Sequence, residues 1–422
     1  MKITITHLST VSILFSLAAA WIPGEHREIL ARDGENLFKR SVPISDSISN
    51  NSSLPSVSKV RCANLGSLYI IEPWMVAKSW ESMGCGSTGS EFDCVKLLGQ
   101  QRANEVFANH WSTFITQSDI QRMRSYGLNT IRIPLGYWIY EDLVDRGTEY
   151  FPQGGLAYLE KVCGWASDEG IYIILDLHGA PGAQQPYVSF TGQLSPKNFY
   201  NDNNYERALR FLEWAANLVH TNDNFRNVGM LEVVNEPATV SSQAESLRTE
   251  YYPQAFQRIR DAETKLQIQP NKYLHVQMMD KRWGSGDPNQ ALNDTSYAAY
   301  DSHTYLMFSN TPVDKDTYIK TSCNDDRSGN QPTIVGEFSM GVPQKFTSTQ
   351  EWTSKNPNNT EFYQKWFAAL ISKYEKQLGW CFWSWKTELG DYRWSYDEAV
   401  QAGVIPMDVN TALQMDVCAA YT

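Results

Sequence analysis

The chain has no lysine- or arginine-rich run, and its 36 basic residues are outnumbered by 47 acidic ones, for a formal charge of −11. A surface of that sign repels phosphate backbones and anionic lipid, so neither nucleic acid nor a membrane is expected as a partner. Beyond the N-terminus no apolar run approaches the roughly 20 residues that span a bilayer. Cysteine and histidine do not recur in pairs at zinc spacing, so no metal ligand set and no cofactor is expected. Internal repeats and long low-complexity tracts are missing too, and with them any sign of a separate binding module. Gly84-Cys85-Gly86-Ser87-Thr88-Gly89 matches G-x-G-x-x-G letter for letter. No strand precedes it and no acidic ribose ligand follows in a βαβ unit, so it reads as a loop rather than a nucleotide cradle.

The first 20 residues read as a secretory signal: Lys2, an apolar stretch through Ile13-Leu14-Phe15-Ser16-Leu17, and a small-residue end at Ala18-Ala19-Ala20. Residues 21–58 form a polar lead-in, within which a dibasic cut after Arg40 would release a short pro-segment. Folded structure is expected over 59–422 as one domain, acting as a monomer outside the cell. Sequons at Asn50, Asn51, Asn293 and Asn358 suit that compartment. Seven cysteines allow three bridges and leave one thiol. Cys85 with Cys94, close together across a Gly/Ser-rich loop, is the first expected pair, and Cys323 with Cys418 the second.

Eight β-branched apolar runs punctuate the chain: Val60–Gly66, Thr130–Pro134, Tyr172–His178, Met230–Asn235, Tyr273–Met279, Tyr300–His303, Thr333–Glu337 and Gly379–Lys386. Most are continuous rather than alternating, as strands buried on both faces are. Amphipathic helical patterns lie between them, among them Ser118–Tyr126, with Ser118 read as its cap, and Leu156–Glu169. The alternation predicts an α/β fold, a (β/α)8 TIM barrel, with a doubly wound open sheet as the alternative.

In a barrel the polar residues that close the strands converge at one face. They are Glu72 just after the first strand, Arg132, His178, Asn235 with Glu236, His303 with Tyr305, Glu337, and Trp385. Glu236 and Glu337 each follow an apolar strand directly. Two carboxyls so placed are what retaining glycoside hydrolysis needs, one to protonate the leaving oxygen and one to attack the anomeric carbon, about 5 to 5.5 Å apart. Asn235 beside Glu236 would hold the sugar 2-hydroxyl, which leaves Glu236 as acid/base and Glu337 as nucleophile. Arg132 would keep Glu337 ionised and Tyr305 would hydrogen-bond it. His178 and His303 would bind hydroxyls or tune the acids, and Trp385 would floor the cleaved sugar. A buried ion pair is the bland reading of the two glutamates.

Together Asn64-Leu65-Gly66 with Glu72-Pro73-Trp74, Ile131-Arg132-Ile133-Pro134, Asp176-Leu177-His178-Gly179-Ala180-Pro181-Gly182, Asn235-Glu236-Pro237, His303 with Tyr305, Gly336-Glu337, and Trp383-Ser384-Trp385-Lys386-Thr387-Glu388 resemble glycoside hydrolase family 5 of clan A. The resemblance covers about Arg61 to Pro406 and implies a retaining double displacement without metal. The stretch Gln184 to Gln193, the Phe338-Ser339-Met340-Gly341-Val342-Pro343 that follows Glu337, and Trp283-Gly284-Ser285-Gly286-Asp287-Pro288-Asn289 are similar to fungal endo-β-1,6-glucanases. Fungal exo-β-1,3-glucanases carry a different pocket wall after Pro181-Gly182. The resemblance therefore implies cell-wall β-1,6-glucan as substrate. An exo-β-1,3-glucanase is the alternative, and a non-catalytic glucan-binding wall protein is a reading of another class.

Overall fold

The computed structural model describes residues 59–421 except 240 and 328. The secretory signal, Arg40 and the sequons at Asn50 and Asn51 lie outside the described residues. Eight parallel strands close on one another in sequence order: β1 (Val60–Asn64), β2 (Thr130–Gly136), β3 (Tyr172–Gly179), β4 (Val228–Glu232), β5 (His275–Met279), β6 (Ala298–Thr304), β7 (Thr333–Phe338) and β8 (Gly379–Phe382). Each overlaps one predicted run, and the closed barrel excludes the open sheet. Nearly every strand residue is buried, because the barrel interior covers one face and the helical ring the other.

Inside the barrel the side chains form layers. At the N-terminal end Val60, Cys62, Tyr172, Ile174, Met230, Ala299, Ile334 and Cys381 make a dry apolar plug. One step toward the C-terminal end stand polar side chains, with Asp176 in register with Glu232, and Glu232 with Gln277. Strand periodicity sets this, since residues two apart face the same way.

The barrel closes where β1 meets β8, with Val60 opposite Gly379 and Cys62 opposite Cys381. Gly379 has φ +144°, and a Cβ there would sit 2.0 Å from the Val60 carbonyl oxygen, so only glycine lets the two strands meet. Cys62 and Cys381 are joined covalently across this seam, a bridge the sequence pattern does not announce. The two expected bridges, Cys85–Cys94 and Cys323–Cys418, are present, and Cys163 is the buried free thiol.

The helix expected from Ser118 runs Gln117–Ser125, and its cap is Thr116 rather than Ser118. Thr116 and Asp119 satisfy each other's backbone N–H groups in a capping box. The second helix, Leu156–Asp168, falls where expected. Among the described residues no helix is long and apolar enough to cross a membrane.

Candidate active site

Seven of the nine predicted residues, Glu72, His178, Asn235, Glu236, His303, Tyr305 and Glu337, line one cleft of about 760 Å³ at the C-terminal strand ends. Arg132 lies beneath its floor, fully buried. Its Nη1 donates to Glu337 Oε1 at 3.0 Å, while the Tyr305 hydroxyl donates to Glu337 Oε2 at 2.8 Å. Both contacts are those the sequence anticipated. Burial pushes the Glu337 carboxyl above the ordinary glutamate value, and the cations His303 and Arg132 pull it back.

Glu236 reaches the same space from β4. His303 Nδ1 stands 2.7 Å from Glu236 Oε1 and 3.6 Å from Glu337 Oε2, so one imidazole spans both acids. Burial alone would lower the His303 pKa, but the carboxylates of Glu337 and Asp301 outweigh it and hold the ring well above its ordinary value. One oxygen of Glu236, one of Glu337 and one His303 nitrogen all lie within 4.8 Å of one another.

The backbone at Glu236 is strained, with φ +40°, a region that costs a non-glycine residue roughly 1–3 kcal/mol. Two side chains outside the predicted set hold it there. Gln185 Nε2 donates to the carbonyls of Glu236 and Pro237, both at 3.0 Å, and Gln184 Nε2 donates to those of Asn235 and His178. Trp283 Nε1 adds a third donor to the Pro237 carbonyl at 2.8 Å. The loops after β3 and β5 thus fix the turn that carries Glu236.

Three further carboxyls, outside the predicted set, lie inside the expected apolar runs rather than at their ends. Asp176, Glu232 and Asp301 are fully buried and surround Arg132, at 3.0, 2.8 and 3.5 Å from its nitrogens. Asn64 and Asn235 accept from the same guanidinium through their Oδ1 atoms at 3.0 and 2.9 Å. Asp176 also pairs with His178 Nδ1 at 2.6 Å, and Asp301 faces His303 Nε2 at 3.4 Å. Gly336, just before Glu337, explains how Asp301 fits. A Cβ there would lie 2.1 Å from the Asp301 carboxylate, whereas the Gly336 N–H donates to it at 2.8 Å.

Trp385 does not floor the cleft. It is fully buried, with its indole N–H on Asp119 at 3.1 Å. Trp383 lines the cleft instead, stacked on the His178 ring at 5.6 Å. β8 ends at Phe382, so strand alternation no longer governs which tryptophan faces inward. The rim is aromatic and wet, with Trp74, Tyr187 and Phe308 exposed by 42, 68 and 76%. Folding gains little from such exposure, and flat apolar rings around polar donors suit pyranose faces.

A parallel eight-stranded barrel that offers two facing carboxyls across an aromatic cleft is the architecture of a barrel glycosidase. Residues 86–388 match the model of Cellulase (glycosyl hydrolase family 5). Over 415 residues the chain is 55% identical to "Probable glucan endo-1,6-beta-glucosidase B" of Neosartorya fischeri, covering 98% of this chain and 100% of that protein. It is 28% identical to "Probable glucan 1,3-beta-glucosidase A" of the same organism, covering 85% of this chain and 90% of that protein. The crystal structure of rutinosidase from Aspergillus niger superposes with a TM-score of 0.65 at 18% identity, covering 82% of this chain and 97% of that one, and shows the same fold. The chain belongs to glycosyl hydrolase family 5.

Proposed function

We propose that this glycosidase cuts β-1,6-linked glucan of fungal cell walls at internal bonds, with retention of anomeric configuration, as a secreted monomer. The observation that carries the chemistry is the approach of Glu236 and Glu337 oxygens to within 4.8 Å. Retaining enzymes hold their two carboxyls about 5 to 5.5 Å apart, and inverting ones leave wider room for a water. Glu337 attacks the anomeric carbon as its carboxylate, and the glycosidic C–O bond breaks as Glu236 gives its proton to the leaving oxygen. Water then enters, Glu236 takes its proton, the water oxygen bonds to the anomeric carbon, and Glu337 is released.

Arg132 and Tyr305 orient the Glu337 carboxylate through one oxygen each. Asn235 keeps a buried Nδ2 with no protein acceptor beside the cleft, a donor suited to the 2-hydroxyl. Trp383 supplies the floor that Trp385 does not, and Glu72, His178 and His303 complete the wall. An open cleft with exposed aromatics on its rim supports internal cutting, since a polymer can lie across it. Linkage rests on the 55% identity to a protein named for 1,6-bonds against 28% to one named for 1,3-bonds.

Hydrolysis of a β-1,6-linked glucan beside a β-1,3-linked one tests the linkage. Shortening of the 1,6 polymer with mixed oligomer products is expected, and glucose release from the 1,3 polymer alone would overturn it. Proton NMR of the first product reads retention as a β-anomer. Loss of all hydrolysis in Glu337→Ala is expected, and unchanged hydrolysis would end the assignment. A wild type that binds glucan without cutting it would make this a wall-binding protein.

A further inference from the structure

Beneath the cleft one guanidinium faces four carboxyls. Asp176, Glu232, Asp301 and Glu337 all lie within 3.5 Å of Arg132 nitrogens. Even with His303 counted as a second cation, the acids exceed the cations, and Asp176, Glu232 and Asp301 are wholly buried below the cleft. Uncompensated charge there is prohibitive, so at least one acid holds its proton.

Geometry decides which one. Asp301 has the Gly336 N–H at 2.8 Å and the His303 ring at 3.4 Å in addition to Arg132. Asp176 has His178 Nδ1 at 2.6 Å, and Glu337 has the Tyr305 hydroxyl at 2.8 Å. Glu232 has only the guanidinium. Arg132 Nε and Nη2 both bond its Oε2, at 2.9 and 2.8 Å, while its Oε1, like Asp176 Oδ1 and Asp301 Oδ2, is buried without a hydrogen-bond partner. The groups around Glu232 are Arg132 on β2, Asp176 on β3, Asp301 and His303 on β6, and Tyr252 on the helix behind β4. Glu232, Asp301 and His303 each place an atom within 4.8 Å of the others.

We propose that Glu232 is carried as the neutral acid and acts as a positioning residue, an uncharged partner for the inner edge of Arg132 that leaves the guanidinium's charge to Glu337 and leaves Asp301 ionised to hold His303. This rests on the reading of Glu337 as nucleophile only for its effect on rate. Burial pushes the Glu232 carboxyl well above its ordinary range; it would raise Asp301 too, but His303, Arg132 and the Gly336 N–H hold Asp301 below its own. An acid that is always neutral leaves a signature in substitution: its amide is silent, and the amide of its ionised neighbour is not.

Two isosteric variants and one spectrum test it. Glu232→Gln should keep kcat/KM on a soluble β-1,6-linked oligomer within about threefold and leave the acidic limb of its pH profile in place. Asp301→Asn should lose at least about tenfold and move that limb. Equal damage from both, or a shifted limb in Glu232→Gln, overturns the proposal. Infrared spectra of the unmodified protein at about pH 9.5 should keep a carboxylic-acid carbonyl band after ordinary buried acids have ionised. That band should vanish in Glu232→Gln, and a spectrum without the band refutes the idea without any substrate. If the protein should prove inactive on β-1,6 oligomers, the infrared result still decides the protonation of Glu232, so the two failures are separable.

Discussion

Gly336→Ala tests how the site is assembled. The new methyl would stand 2.1, 2.2 and 2.4 Å from the Oδ1, Oδ2 and Cγ atoms of Asp301. The carboxylate must retreat by more than an ångström, and it gives up the Gly336 N–H bond of 2.8 Å as it does. Overpacking costs about 1–3 kcal/mol and loss of a hydrogen bond to an ion about 1.5–3 kcal/mol, so roughly 3–5 kcal/mol in all. With unfolding entropy of about 2.1 cal/mol/K per residue over roughly 360 residues, Tm falls by about 4–7 °C. Asp301 faces the imidazole that spans Glu236 and Glu337, so its retreat misplaces the ring, and a displacement of that size costs on the order of 10²-fold in kcat/KM. Thermal unfolding by circular dichroism and steady-state kinetics read the two effects. In an Asp301→Ala background the methyl meets no carboxylate, and the same substitution should cost less than about 1 kcal/mol. An equal cost in both backgrounds would refute the reasoning, because the clash would then lie elsewhere.

Gln185→Ala removes two hydrogen bonds from the strained turn at Glu236, and kcat should fall about tenfold with KM within about twofold. A raised KM with unchanged kcat would assign Gln185 to substrate binding instead. Glu91, fully buried with its Oε1 on the Ile71 N–H, is pushed by burial from 4.5 to about 8. Below pH 4.5 both folded and unfolded chains hold the proton. From there to about pH 8 only the unfolded chain ionises, so stability drains away across that window. Glu91→Gln should therefore match the parent Tm at pH 4 and exceed it at pH 8, by a few kcal/mol in stability; a pH-independent difference would count against it. Among the bridges, replacing Cys62 and Cys381 by alanine should destabilise most, since it opens a separation of 319 residues against 95 and 9 for the others. Chain entropy scales with the logarithm of that separation, giving about 6 kcal/mol for the longest and about 2–3 for the shortest, and urea unfolding of the three double variants orders them.

Much of the site was legible because strand ends are where barrel chemistry gathers, and Glu236, Glu337 and their tyrosine, arginine and histidine neighbours all fall there. Asp176, Glu232 and Asp301 were passed over as members of apolar strands. A charged residue inside a strand buried on both faces was itself a signal, since it needs an inward partner, and Arg132 is that partner for all three. Trp385 was misplaced because the eighth strand was expected to run to Lys386, four residues past Phe382, where β8 ends. Gln184 and Gln185 bond only backbone carbonyls of a distant loop, a contact that depends on how two loops fold over each other and leaves no pattern along the chain. The Cys62–Cys381 seam depends likewise on closure of the barrel, which brings the two ends of the fold into register.

That seam also changes what a protease can do. Cys62 and Cys381 bracket nearly the whole barrel, so a single cut in any loop between them leaves both pieces covalently tied at β1 and β8. The nicked ends cannot diffuse apart, and the barrel can close again around the break. A loop severed this way becomes a local lesion rather than a loss of the enzyme.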